Sequence, residues 1–234
     1  MNKIYHTDHA LIGDARVTLQ ALVDELGRRT SGAGIARDNI VNEISDEKRK
    51  DDLKYDEALN SSDTPINPYR VYRDMMKVLD PQKSFVTHES GNTRDQLSTV
   101  YETQIPRGFL GWGNVSSLGF SLPAAMAAKI AYPDRHCVAV TGEAGLGYML
   151  GNLEVPVREK IGITVVHISN GGFSGYGPGF WGAGHDPYTH KVLSHENVDM
   201  SKVIGEMGLY TERIYQPDDI VGALERALVA NDKG

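Results

Sequence analysis

Two glycine-rich segments carry the side chains best placed for chemistry in this 234-residue chain. The first, Val140-Thr-Gly-Glu-Ala-Gly145, holds one carboxylate, and the second, Ile168-Ser-Asn-Gly-Gly172, holds one amide. Each follows a β-branched run that reads as a buried strand. Both loops would then emerge at the carboxyl edge of a sheet, where open α/β folds bind their ligands. Gly142, Ala144 and Gly145 leave backbone amides open to an anion, and the following helix would aim its positive end at it. Glu143, Asn170 and a main-chain carbonyl, with two phosphate oxygens and a water, would complete the octahedral shell that Mg2+ demands. Taken singly, each loop is also matched by an ordinary strand-to-helix turn whose Gly and Asn residues satisfy turn geometry alone.

Such loops need strands and helices in alternation to hold them. Ser84–Thr87, Val138–Thr141 and Ile163–Ile168 read as strands, Gly119–Ile130 and Met149–Lys160 as helices. Pro156 fits awkwardly inside the second helix, because proline removes a donor and crowds the preceding turn. A last helix, Asp219–Val229, places Ile220, Ala223, Leu224, Ala227 and Leu228 on one face. This order implies right-handed crossovers and an α/β fold, a parallel sheet flanked by helices. Upstream, Val17, Leu19, Leu22, Val23 and Leu26 fall near helical spacing. Asn67-Pro68 opens another helix with Val71, Met75, Val78 and Leu79 on one face. Residues 30–64 read as a charged linker between a short segment, 1–29, and the main domain, 65–234.

Composition narrows the function classes. A net charge of −7 argues against general nucleic-acid binding, which needs clustered Lys and Arg. The one dense basic run, Lys48-Arg-Lys50, is flanked by Asp46, Glu47, Asp51 and Asp52 and reads as a solvated helix face. Cys137 is the sole cysteine, which excludes a disulfide framework and a Cys-based zinc site, and its strand context predicts a buried thiol. The longest apolar stretch, Leu122 to Ala131, is interrupted by Lys129 and too short to span a bilayer. The N-terminus has no signal-peptide core, so a cytoplasmic location and no membrane partner are expected.

Taken together, the two loops resemble the thiamin-diphosphate (ThDP) motif of the acetolactate synthase and decarboxylase superfamily, which opens Gly-Asp-Gly and closes Asn-Asn. The motif aligns without a gap: Gly142-Glu-Ala144 stands for the opening triplet and Ser169-Asn170 for the closing pair. Glu143 and Asn170 are 27 positions apart, the spacing that family uses between its side-chain metal ligands. The resemblance implies ThDP and Mg2+ as cofactors. Glu143, Asn170 and Gly172 would be metal ligands, and Gly142, Ala144, Gly145, Asn170 and Gly172 would lie at the diphosphate. Three positions depart from the pattern: Glu143 for Asp, Ala144 for Gly and Ser169 for Asn. The longer Glu arm must shift by roughly one methylene to keep a metal–oxygen distance near 2.1 Å.

The resemblance extends further. Gly111-Trp-Gly-Asn-Val-Ser-Ser-Leu-Gly-Phe-Ser-Leu-Pro-Ala125 is similar to the segment that wraps the aminopyrimidine ring. Leu118 would be the apolar wedge that bends the cofactor, and the Ser116 carbonyl would accept from its 4′-amino group. Glu89-Ser-Gly-Asn-Thr93 resembles the Glu-x-x-Asn-Thr loop of oxalyl-CoA decarboxylases and 2-hydroxyacyl-CoA lyases, which implies that Ser90, Gly91 and Asn92 lie near the diphosphate. Residues 4–26 resemble the end of that family's central domain.

No segment resembles the family's pyrimidine-binding domain, whose Glu protonates N1′ of the cofactor. The resemblance therefore implies a separate subunit carrying that domain and Glu, a hetero-oligomer, and no turnover by this chain alone. Met1, placed at a domain seam, favours a natural gene split over a cut, while relatives usually continue past Ala230 into a final strand and tail. The expected function is a ThDP- and Mg-binding subunit of a carbon–carbon lyase or ligase acting on a 2-hydroxyacyl-CoA. The alternatives are an acetolactate synthase-like or 2-oxo acid decarboxylase subunit, and a non-catalytic assembly module.

Other motifs carry less. Gly177-Pro-Gly-Phe-Trp-Gly182 matches a dinucleotide fingerprint but lacks the preceding strand and following helix. It reads instead as an aromatic loop, in which Phe173, Tyr176, Phe180 and Trp181 would line a substrate pocket. His185 is a candidate acid/base group, although a lone loop histidine more often sits solvated at the surface, and His88, beside the diphosphate loop, is a candidate for proton transfer. His167 reads as a hydrogen-bonded core residue.

Overall fold

The computed structural model describes residues 6–30, 38–113, 115–171 and 198–232. Backbone contacts divide the chain into two units, Met1–Lys50 and Asp51–Gly234.

In the first unit, helix α1 spans Ala15–Thr30. The Asp14 carboxylate accepts from the Val17 amide at 3.1 Å and so satisfies one of the first-turn donors. None of the residues of α1 is buried. Helix α2, Asp38–Leu59, runs on into the second unit. Its exposed charges pair along the helix, Arg49 with Asp46 at 2.9 Å and Lys50 with Glu47 at 2.5 Å. The Lys48–Lys50 run thus lies on a solvated face, as the flanking acids predict.

Among the described residues, the second unit contains a four-stranded sheet. Helix α3, Pro68–Val78, is capped by the Asn67 side chain, which accepts from the Tyr69 amide, and Pro68 takes the first position, where no donor is needed. Then follow β1 (Ser84–His88), α4 (Asn92–Val100), β2 (Phe109–Leu110), α5 (Ser121–Ala131) and β3 (His136–Thr141). After β3 come α6 (Glu143–Met149), a 3-10 turn (Leu150–Leu153), α7 (Glu154–Arg158) and β4 (Thr164–His167). Helix α8 (Met200–Gly205), a 3-10 turn (Pro217–Asp219) and helix α9 (Ile220–Asp232) complete the described elements. The strand order is β2-β1-β3-β4, and every pairing is parallel.

Alternation along the strands builds two cores. Val86, Val138 and Val140 face Tyr72, Met75, Leu79 and Leu97, with Leu224 and Leu228 of α9 against them. On the other face Phe85 and Cys137 meet Ala128. Beside them Leu122, Met126, Leu146 and Leu153 pack with Val165, Met200 and Ile204. Full burial of each large aliphatic side chain contributes about 2 kcal/mol, so this double cover is the main support of the sheet. Burial pushes the Cys137 thiol up to about 11, which leaves it protonated and unreactive at neutral pH.

The α/β parallel architecture agrees with the sequence reading, and three local features differ. The helix expected over 149–160 is divided. α6 starts earlier, at Glu143, and α7 restarts at Glu154 so that Pro156 sits in a first turn. There its missing N–H breaks no hydrogen bond, while its carbonyl still accepts from Ile161 at 3.0 Å. The stretch between β1 and Gly119 contains two elements with no periodic signal in the sequence, α4 and β2. Helix α8 is likewise additional.

Candidate functional site

In this strand order β1 has β2 on one side and β3 on the other, so the winding reverses between β1 and β3. A crevice opens at such a reversal, beyond the carboxyl ends of the strands. Because all four strands run the same way, the loops after each of them reach that one edge. These are the segments beginning at Glu89, Gly111, Gly142 and Ile168. The sites read from the two glycine-rich loops therefore share a location that topology alone would single out.

The loops after β1, β3 and β4 are open where a ligand would approach. Gly91 has φ +86° and precedes the first residue of α4, Asn92; Gly171 has φ +78°. Both conformations favour glycine over any residue with a Cβ. A Cβ built at Gly91, Gly142 or Gly171 would meet nothing within 4 Å among the described residues. Gly142 is extended and caps α6, and Glu143 is the first residue of that helix.

The two halves of the long-range motif meet directly. The Gly171 N–H donates to Glu143 Oε1 at 2.8 Å, which sets the carboxylate beside the loop that carries Asn170. Asn170 is exposed, whereas Glu143 and Ala144 are half-buried and Gly145 is buried. Gly172 and His185, and the aromatic loop at 173–182, lie outside the described residues. Among the described residues no cluster of three His, Cys, Asp or Glu side chains is present. A cation here would thus rely on one carboxylate, one amide and main-chain or ligand oxygens, the hard oxygen donors that suit Mg2+.

The segment after β2 closes the other side. Ser116 holds a left-handed conformation, φ +56°, and its hydroxyl is hydrogen-bonded to the hydroxyl of Ser90. Leu118 keeps 39% of its surface exposed beside the site, and Ser90 and Asn92 are half-buried. The structure thus brings Ser90, Gly91, Asn92, Ser116 and Leu118 to the same edge as Glu143 and Asn170.

One residue at this edge had no role in the sequence reading. The Glu89 side chain is 1% exposed, and its two carboxylate oxygens accept from the Gly119 and Ser121 amides, each at 2.5 Å. Nothing local in the sequence links position 89 to 119 and 121; only the sheet does.

Two histidines flank the crevice. His88 is buried, and its Nδ1 donates to the Glu89 carbonyl at 3.0 Å, which leaves Nε2 as the acceptor nitrogen of a neutral ring. Burial pushes its pKa below the ordinary imidazole value, and the Glu89 hydrogen bond only partly opposes this. Gly111 makes room for that ring, since a Cβ there would lie 2.6 Å from Nε2. His167 departs from its expected part. Its Nε2 is buried and finds no hydrogen-bond partner among the described residues. Burial pushes its pKa down, the nearby Glu143 charge works against that, and Arg213 adds to it.

Comparison with known proteins bears on the family of the chain. The model of the thiamine pyrophosphate enzyme C-terminal TPP binding domain matches residues 89–234. A probable acetolactate synthase large subunit of Methanocaldococcus jannaschii is 25% identical over 244 residues, covering 99% of this chain and 39% of the relative. A 2-hydroxyacyl-CoA lyase of Arabidopsis thaliana is 26% identical over 226 residues, covering 94% of this chain and 39% of the relative. The acetolactate synthase isozyme 3 large subunit of Escherichia coli is 25% identical over 173 residues, 73% of this chain and 29% of its own length. The chain therefore spans less than two-fifths of the length of these relatives.

Proposed function

We propose that this chain, which belongs to the thiamine pyrophosphate enzymes through their C-terminal TPP binding domain, holds the diphosphate end of ThDP with Mg2+ and serves a carbon–carbon lyase. The observation that carries the reading is the Gly171–Glu143 hydrogen bond between the loops after β3 and β4, with space free of described residues over Gly91, Gly142 and Gly171. Glu143, Asn170 and the Gly172 carbonyl would hold the cation. The amides of Gly142, Ala144 and Gly145, with Ser90, Gly91 and Asn92, would face the diphosphate. Ser116 would offer its carbonyl to the aminopyrimidine, and Leu118 would support the bend between the two rings.

When bound, ThDP supplies a nucleophilic carbon and an electron sink for the adjacent carbon–carbon bond. The residues named above would position the cofactor and, through backbone amides and the cation, offset its charge. A separate subunit with a pyrimidine-binding domain and its Glu would complete the catalytic unit. Residues 1–29 would be the end of a preceding domain and 30–64 its linker.

For the substrate we favour a 2-hydroxyacyl-CoA, cleaved to an aldehyde or ketone and formyl-CoA, because Glu89-Ser-Gly-Asn-Thr93 and Asn170-Gly-Gly172 lean that way. Acetolactate synthase-like chemistry is the second reading, favoured by relatives of that name at similar identity. Calorimetry of the full chain with ThDP and Mg2+ tests the cofactor. Asn170→Ala should weaken binding about tenfold or more, as expected for a lost metal ligand, and EDTA should mimic it. Unchanged, metal-independent affinity in Asn170→Ala would remove the assignment. Incubating the assembled enzyme with 2-hydroxyacyl-CoA thioesters, and in parallel with pyruvate, separates the substrates. Formyl-CoA from the thioesters supports the first reading; acetolactate from pyruvate, with thioesters untouched, supports the second.

A further inference from the structure

We infer that Glu89 is a positioning residue, whose buried carboxylate fixes the loop bearing Ser116 and Leu118 at a set distance from the diphosphate end of the site. The inference rests on the ThDP reading above and adds to it a residue that touches neither metal nor phosphate.

A carboxylate that is 1% exposed is costly unless hydrogen bonds replace the water it has lost. At Glu89 backbone donors do this. Oε2 accepts from Gly119 and Oε1 from Ser121, both at 2.5 Å, the short distances of charge-assisted bonds. Ser121 begins α5, an 11-residue helix whose positive end adds to the attraction. Gly119 has φ +84°, and this turn lets both amides converge on one carboxylate. The clamp therefore grips the chain immediately after Leu118, the residue read as the wedge.

Two further observations show that the clamp joins three loops. Gly145, in the first turn of α6, must lack a side chain, because a Cβ there would lie 2.6 Å from Glu89 Oε2. The helix that begins with Glu143 is thus packed against the same carboxylate. Ser90, the next residue along, is hydrogen-bonded to Ser116 through their hydroxyls, a second tie between the same two loops. The residue type follows from the geometry. A glutamine would turn an NH2 group toward one of the two amides, leaving a buried donor unpaired and that side of the clamp released.

The test separates the ring end of the cofactor from its phosphate end. Binding of ThDP with Mg2+, and of inorganic pyrophosphate with Mg2+, is measured calorimetrically on the full chain and on Glu89→Gln. Pyrophosphate lacks the rings that the segment bearing Ser116 and Leu118 would meet, so the variant should bind it within about twofold of wild type. ThDP should weaken about tenfold or more, the size of a lost hydrogen bond to a charged group. Amide exchange at Gly119 and Ser121 should accelerate in parallel. Equal loss for both probes means general damage to the domain and overturns the positioning role; so does unchanged ThDP affinity. Wild-type chain that binds neither probe removes the cofactor reading itself, a failure distinct from a variant that matches wild type. Should Glu89→Gln not fold, Glu89→Asp keeps the charge on a shorter arm. It should show the same split between probes, and equal effects on both would again overturn the role.

Discussion

Helices α1 and α3 read alike in sequence and differ in almost everything that matters to stability. Each carries an apolar face, and each has a carboxylate with cations three and four positions away. In α3 Asp74 is fully buried, with Arg70 at 2.7 Å, Arg73 at 3.1 Å and Lys77 at 3.3 Å. In α1 Glu25 pairs with Arg28 and Arg29, both at 2.7 Å, in the open. Tyr72 and Met75 of α3 are fully buried against the sheet, whereas Val17 and Leu22 of α1 keep 67% and 41% of their surface. Periodicity announces that a helix has a face to cover. It does not say whether the covering element lies in the same unit, and for α3 that element is the sheet.

The carboxylates should give the largest contrast. Asp74→Ala strips Arg70, which also donates to the Ser61 and Pro217 carbonyls, of its main partner. Breaking a buried pair on one side costs about 3–5 kcal/mol, and urea unfolding of the full chain should register that loss. Glu25→Ala, made the same way, should cost under about 1 kcal/mol, because exposed ion pairs contribute little. Equal costs would erase the distinction drawn between the two helices.

The apolar faces come next. Met75→Ala should lose about 3 kcal/mol to transfer and cavity terms, while Leu22→Ala should stay within about 0.5 kcal/mol. The exposed face should show itself differently, as self-association of the isolated chain that Leu22→Lys reduces in light scattering. A Leu22 variant as damaging as Met75→Ala would mean that α1 is packed in solution.

The same contrast explains what the sequence could disclose. β1, β3 and β4 were legible because β-branched runs end at Gly-rich turns, and α5 and α9 because their apolar residues recur at helical spacing. The site was legible where its parts are local, as in Gly142–Gly145, or carry a recognisable spacing, as in Glu143 and Asn170. α4 was not, since Asn92–Val100 buries only Thr93 and Leu97 and shows no apolar stripe. β2 is two residues long, too short for any periodicity. The Glu89 clamp was invisible for a different reason. Its partners are backbone amides 30 and 32 residues away, and backbone donors leave no mark in a sequence.

The smallest expected effect is a pH dependence that belongs to α3. Burial alone would raise the Asp74 carboxyl. The hydrogen bonds from Arg70 and Lys77, with the charges of Arg70 and Arg73, outweigh it and hold the group below its ordinary value of 3.8. A carboxyl depressed in the folded state stabilises the fold above the unfolded-state pKa. That contribution fades as pH falls through the folded-state value. The window therefore lies below about pH 4, where the unfolded chain binds a proton that the folded chain still refuses. Glu212, whose hydrogen bonds from Arg226 hold it at about 2, contributes in the same direction. Asp74→Asn, which removes only the α3 share, is thus the variant to measure against wild type. Urea midpoints followed from pH 6 down to pH 3 should decline more steeply in wild type than in Asp74→Asn, the two curves converging at the acid end. Parallel curves would show that the Asp74 cluster orders α3 without storing charge-dependent stability, and the contrast with α1 would then rest on packing alone.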